Sequence, residues 1–426
     1  MTPQAYVRRA FESTLLLLVM AAPVGAQPST GQAPPLVLDA LEARALERHP
    51  AIAMALADLN AARAHAAQAG AAQNPTVGGS FADWQPRESP SGTITAGVTQ
   101  RFQLGGKRSA DRAVAEAGVR EAEVALELAR LRVRVAVRSA YFATAAAQQK
   151  RMVAERLAAV ADEAVVIARQ LMNVGLIDRP NLLEAEAEAA RQTAMVVAAR
   201  QHEVASWRRL ALAVVDPAMP MPSMAPLVEA AVPRLDRQAA LSRVLEASPE
   251  LRAATASLGR VRAAVAVEQR RTSPDLSLRA EAGWNRERNA GNRAKGWELG
   301  LEAAFSVPLL NRNRSGVLSA QASVTAAEAT EALLRLDLEA RFTDAFEAYE
   351  RASGLSATYR DAVLPKLEEA MTTNLTRYRE MATPYPQVLV SQRLFIEAMG
   401  EFLESLDMAW QAAIRVEGLL MPEGGR

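Results

Sequence analysis

The strongest constraint on this chain is that it repeats itself. The segment "HPAI" at His49 to Ile52 returns 199 positions later as "SPEL" at Ser248 to Leu251. At the same interval "NPTV", Asn74 to Val77, returns as "SPDL", Ser273 to Leu276. In both copies a long Ala-rich stretch joins the two Pro residues, and a short alternating stretch follows. Further along, "QLGGKR" (Gln103 to Arg108) faces "LNRNR" (Leu310 to Arg314), and "NVGLID" (Asn173 to Asp178) faces "YREMAT" (Tyr378 to Thr383). Self-similarity on this scale makes each half one supersecondary unit, built twice, in one elongated body.

The expected division is a signal peptide over 1–26, a first repeat over 27–215, a Pro-rich linker over 216–234, a second repeat over 235–420 and a tail over 421–426. The signal rests on Arg8 and Arg9 before an apolar run, Leu15 to Ala22, with the small residues Val24-Gly25-Ala26 for cleavage. That run is too short to span a bilayer. Removing Arg8 and Arg9 from 49 basic residues, and Glu12 from 48 acidic ones, leaves a formally neutral chain. No basic stripe points to nucleic acid. The absence of Cys excludes disulfides and a lipid anchor on an N-terminal Cys. No other stretch is apolar enough for a transmembrane helix, so any membrane crossing falls to strands.

Each repeat reads as helix, hairpin, very long helix, turn and returning helix. The first helix is expected from Leu38 to about Gln73, stopped by Asn74-Pro75. A hairpin follows over 76–102, with "QPRESPSG" as its turn. The second copy, over 275–307, alternates more plainly. Leu276, Leu278, Ala280, Ala282 and Trp284 alternate with Asp275, Ser277, Arg279 and Glu281; Trp297, Leu299, Leu301, Ala303 and Phe305 alternate with Glu298, Gly300 and Glu302. Ten residues with one apolar and one charged face suit a tilted membrane strand, with Trp284 and Trp297 in an interfacial belt. A soluble hairpin on a core needs the same alternation, and the pattern alone leaves both readings open.

From Gly105 to Met172 no Pro occurs, which gives about 68 residues or roughly 100 Å of helix. Val124, Leu128, Leu131 and Val135 form one apolar seam, and Val119, Ala122, Leu126, Ala129, Val133 and Ala136 a second. Spacings of three and four mark coiled-coil contact, and two seams call for a neighbour on each side. Glu116 with Arg120, and Glu127 with Arg130, are expected to pair along the helix. "NVGLIDRPN" breaks it, and a helix over about 181–214 returns. The second repeat is expected to run as helix 235–271, helix 311–380, a turn at "MATPYP", and a helix from Pro386 to about Leu420.

This order of elements resembles the TolC-type outer-membrane factor family over nearly the whole mature chain. "QRFQLGGKRSADR" (Gln100 to Arg112) and "FSVPLLNRNRSG" (Phe305 to Gly316) resemble its two strand-to-helix junctions and look most like the heavy-metal branch, the outer-membrane subunits of cobalt–zinc–cadmium pumps. The resemblance implies a mainly α fold. It comprises an internally duplicated coiled-coil α-barrel and four strands per chain, which join those of two further copies in a homotrimeric twelve-stranded β-barrel. Four strands cannot close alone, and an open sheet cannot exist in lipid. The hairpin question then resolves toward lipid-facing Leu278, Trp284, Leu299, Leu301 and Phe305, with Arg279, Glu281, Glu298 and Glu302 facing a water-filled lumen.

The resemblance further implies a passive exit duct in the outer membrane of a Gram-negative bacterium, with a long periplasmic extension. It would be docked by a periplasmic adaptor protein and an inner-membrane RND pump, and would pass divalent heavy-metal cations. The family's gate falls on the turns. Tyr378 matches its Tyr, Asn181 stands at its acidic partner and Thr383 at its Arg, while Gln387 and Val390 occupy its acidic ring. Asp178, Arg179, Arg379 and Glu380 are expected as a substitute set of salt bridges. Two other readings are a drug-efflux or type I secretion duct of the same fold, and a non-channel coiled-coil scaffold.

Nothing in the sequence suggests catalysis or a cofactor. His49, His65 and His202 are isolated, and "LGGKR" lacks a phosphate-loop pattern. Glu186 and Glu188 read as an exposed helix face, and Met219, Met221 and Met224 as linker residues rather than copper ligands.

Overall fold

The computed structural model describes residues 38–85, 91–221, 232–285, 296–308, 310–380 and 382–420. The expected signal peptide, most of the linker, Met224, the two hairpin tips and the tail over 421–426 lie outside them. The two repeats pack as one compact unit.

The opening helix of each repeat is two helices, not one. In the first, α1 (Leu38–Arg48) and α2 (Pro50–Ala69) meet at His49, whose extended backbone (ψ 124°) lets its Nδ1 accept from the Ala51 N–H at 3.2 Å. Pro50 has no N–H to donate backward and pushes the residue before it out of the helical region. The Pro that marks the repeat is thus also its first break. The second repeat is built alike: α5 (Arg237–Ala247) and α6 (Pro249–Arg270) meet at Ser248, whose hydroxyl caps Leu251 N–H at 3.5 Å.

Four strands follow the expected order: β1 (Thr76–Gln85), β2 (Ser91–Gln103), β3 (Asp275–Asn285) and β4 (Gly296–Phe305). They form one antiparallel sheet in chain order, in which β2 of the first repeat pairs with β3 of the second.

The long helix α3 (Lys107–Asn173) runs 67 residues without a break. Its two seams each find a neighbour, α2 and α6 over one half and α4 (Arg179–Ala213) and α9 (Tyr385–Glu417) over the other. The counterpart in the second repeat is not continuous. It divides into α7 (Arg314–Thr358), a π turn at Tyr359–Val363, and α8 (Leu364–Arg379). Pro365 explains the interruption, since it removes the N–H that Asp361 C=O would accept, and the chain widens until Leu364 N–H reaches Tyr359 C=O.

The strand-to-helix corners carry the two motifs. Gly105 and Gly106 have φ of 69° and 75°, and a Cβ on Gly105 would overlap the Ser273 side chain. At the second corner Asn313 takes φ 49° and its amide donates to Glu268 C=O at 2.9 Å and to Glu268 Oε2 at 2.8 Å. Asn tolerates this left-handed backbone better than other non-Gly residues.

Two cores repeat each other. Leu41, Ala45, Ile52 and Leu59 in the first have counterparts 199 positions on in Ala240, Val244, Leu251 and Leu258, all buried. A third core joins the repeats, with Ala146 of α3 against Leu364, Ala398, Phe402 and Leu406, and Phe142 stacked on Trp410 at 4.0 Å. Ion pairs also differ from expectation. Glu116 pairs with Arg112, and Glu127 reaches across to Arg252 of α6 at 2.6 Å. Glu121 likewise pairs with Arg260, so α3 uses its acidic residues to hold the other repeat.

Candidate functional site

The sheet register sorts residues into two faces. Trp284 stands opposite Trp297, Ala282 opposite Leu299, Ala280 opposite Leu301 and Leu276 opposite Phe305, while β2 adds Ile94, Val98 and Phe102 to the same face. Through Val98 and Ile94 the face extends to Val77 and Phe81 of β1. It is bare. Leu299 and Leu301 are 85% and 89% exposed, and Leu278, Phe81 and Phe305 are exposed too. An uncovered apolar face of this extent marks a membrane or partner surface. Trp284 and Trp297 meet edge to face, 5.4 Å apart, at the hairpin end.

The opposite face is polar. Arg279 pairs with Glu281 at 2.8 Å and stands across from Glu302; Glu298 accepts from Asn285 at 2.7 Å; Ser80 and Thr95 share a hydrogen bond of 2.7 Å. At the base, the Asp275 carboxylate accepts from Arg101 at 2.6 Å and from Lys107 at 2.8 Å. This joint between the repeats escaped the sequence reading, because its members are about 170 residues apart. β1 and β4 each keep one edge without a partner strand among the described residues.

At the far end of the helices, the expected salt-bridge set does not assemble. Among the described residues, Asp178, Arg179, Arg379 and Glu380 form no ion pair with one another. Asp178 instead precedes α4 as its cap residue, and Glu380 closes α8. The link between the helix pairs falls elsewhere. Tyr385, at the start of α9, donates its hydroxyl to Glu163 of α3, and the Tyr378 ring packs 4.8 Å from it. That hydrogen bond, with burial added, pushes the Tyr385 phenol up to about 12. "TPYP" registered only as a turn, and nothing local ties it to Glu163.

Thr383 is half-buried in the turn and Gln387 is exposed. Asn181 and Val390 line a cavity between α3, α4 and α9. Glu186 bonds Arg169 at 3.1 Å. Glu188 is not the solvated carboxylate expected: it lines the same cavity, and hydrogen bonds from Arg191 and Gln192 hold it down to about 2. Met219 is buried in the first core, Met221 is exposed, and the described residues contain no group of three or more His, Cys, Asp or Glu placed for a metal.

The profile of the outer membrane efflux protein family matches residues 41–214 and 240–420, both repeats in turn. The chain belongs to that family. It is 28% identical over 335 residues to the cobalt-zinc-cadmium resistance protein CzcC of Cupriavidus metallidurans (strain ATCC 43123 / DSM 2839 / NBRC 102507 / CH34), covering 77% of each chain. To the nickel-cobalt-cadmium resistance protein NccC of Alcaligenes xylosoxydans xylosoxydans it is 28% identical over 316 residues, 72% of this chain and 69% of that one. The fold is that of the solved outer-membrane channels. VceC of Vibrio cholerae gives a TM-score of 0.69 at 20% identity, covering 91% of this chain and 97% of its own, and OprN gives 0.69 at 21%, covering 91% and 90%. The resemblance read from the two junction motifs is borne out, heavy-metal branch included. As a member of the outer membrane efflux protein family, the chain is not an enzyme.

Proposed function

We propose that three copies of this chain close into the exit duct of a tripartite efflux system for divalent heavy-metal cations, conducting passively from an adaptor protein and an inner-membrane RND pump to the exterior. The observation that carries the reading is the four-stranded sheet, with its bare apolar face and two open edges. In lipid such a sheet is tolerable only if closed, so β4 of one copy pairs with β1 of the next. Leu278, Trp284, Leu299, Leu301 and Phe305 then face lipid, and Arg279, Glu281, Glu298 and Glu302 face the lumen. The helices extend into the periplasm of a Gram-negative cell, and the gate lies at the turns that carry Asp178, Arg179, Asn181, Tyr378, Arg379, Glu380, Thr383 and Gln387. The resistance relatives favour metal cations as cargo.

The test is a deletion strain challenged with zinc, cobalt, cadmium, nickel, copper, silver and a drug panel. The expected outcome is sensitivity confined to one or a few metals, restored by the intact gene and not by the Leu299→Arg, Leu301→Arg double variant. Charged residues facing lipid cost about 2–4 kcal/mol each at mid-depth. Sensitivity to drugs alone would move the cargo to the drug-efflux alternative, and full rescue by the double variant would sink the membrane placement in favour of a scaffold.

A further inference from the structure

Between α3 and α4 of the first repeat and α9 of the second lies a cavity of 300 Å³. Its wall is made by Val160, Ala164, Ile167, Leu389 and Val390. The hollow has a plain origin in the sequence. Ala161, Ala164 and Ala168 recur at helical spacing along α3, where larger residues would fill the seam against α9. The hollow opens to solvent on one side, where Asn181, Pro386 and Val390 are exposed. An enclosed apolar cavity of about 150 Å³ is enough to hold benzene. Twice that volume suits two fused rings.

We propose that this cavity is a binding site for an uncharged two-ring aromatic molecule with one hydrogen-bonding group. Charge complementarity excludes an ionic occupant. Glu188 at the cavity is already ion-paired with Arg191 at 2.7 Å and accepts from the Gln192 amide at 2.8 Å, and Arg393 lies 3.6 Å from Glu397. Neither sign is left uncompensated for a ligand ion to pair with, whereas burying an ion without a partner is costly. The hydrogen-bonding group has an address in Asn181, which lines the cavity with an exposed side-chain amide, while its backbone N–H donates to Asp178 C=O at 3.1 Å. Few polar groups on an apolar wall are the usual build of a small-molecule site. Because the walls come from both repeats, the ligand braces the start of α9 on α3, beside the Tyr385–Glu163 link.

The test is equilibrium dialysis of the purified protein in lipid nanodiscs against 2-naphthol at neutral pH, with empty nanodiscs as the blank. The expected result is saturable uptake of one molecule per chain. Affinity should fall at least tenfold in Ala164→Phe, which fills the hollow, and for 2-naphthoate, which carries a charge on the same rings. If Ala164→Phe does not fold, Ala168→Leu must give the same loss. Saturable uptake that persists undiminished in a folded filling variant would place the binding elsewhere and overturn the proposal. So would no uptake above the blank, which would leave the cavity to a side chain of a docking protein. Uptake is read without any conduction, so either failure leaves the duct reading untouched.

Discussion

Two residues near the turns at the far end of the helices have shifted proton equilibria. Glu188 is held down to about 2 by its hydrogen bonds with Arg191 and Gln192. A carboxyl whose folded pKa lies below its unfolded value stabilises fully above the unfolded value and loses that contribution as pH falls through the folded one. Glu188→Gln should therefore cost about 1 kcal/mol at neutral pH, discounted for partial exposure. The difference in chemical denaturation between variant and parent should shrink from about pH 4.5 downward and vanish near pH 2; a pH-independent difference would contradict the ion pair. Tyr385 has the opposite sign. Its phenol is raised to about 12 by the hydrogen bond to Glu163, so its contribution is complete below about pH 10 and lost as pH rises through about 12. Tyr385→Phe should loosen the α9–α3 link by about 1 kcal/mol. In planar-bilayer recordings this should appear as a higher conductance or longer open times. Unchanged recordings would show that the Tyr385–Glu163 link does not restrain the turns.

Elements show how unevenly sequence maps to structure. The strands were legible because alternation is local: the apolar and charged residues of β3 and β4 sort onto two faces once the register is known. The helix interruptions were not. His49-Pro50 and Ser248-Pro249 were read as markers of the repeat, though Pro at those positions starts a new helix, and Pro365 went unread inside a long Ala- and Leu-rich run. Its counterpart in the first repeat is ordinary α-helix, so the duplication hid the difference. Glycines divide sharply by setting. Gly105 needs φ 69° against Ser273, so Gly105→Ala should destabilise by more than about 1 kcal/mol. Gly118 sits mid-helix with open space around it, so Gly118→Ala should stabilise by up to about 1 kcal/mol. Thermal unfolding of both variants checks the contrast, and equal shifts would deny the corner its strain.

At the scale of the whole molecule, the duplication foretold most of the architecture, down to paired core positions 199 residues apart. What it could not foretell are contacts between distant residues with no local signature, such as Asp275 with Lys107 or Tyr385 with Glu163. Of the positions carried over from the family, Tyr378 packs on the Tyr385–Glu163 link, while Tyr385 and Glu163 themselves lie outside that set. The central claim is that the open sheet closes with copies of itself, and the Cys-free chain makes this directly testable. Cysteine pairs walked along the free edges of β1 and β4 should, at one register, oxidise to a covalent trimer that runs as a single closed species on a denaturing gel. Monomer at every register, or a ladder continuing past three chains, would contradict the closed barrel.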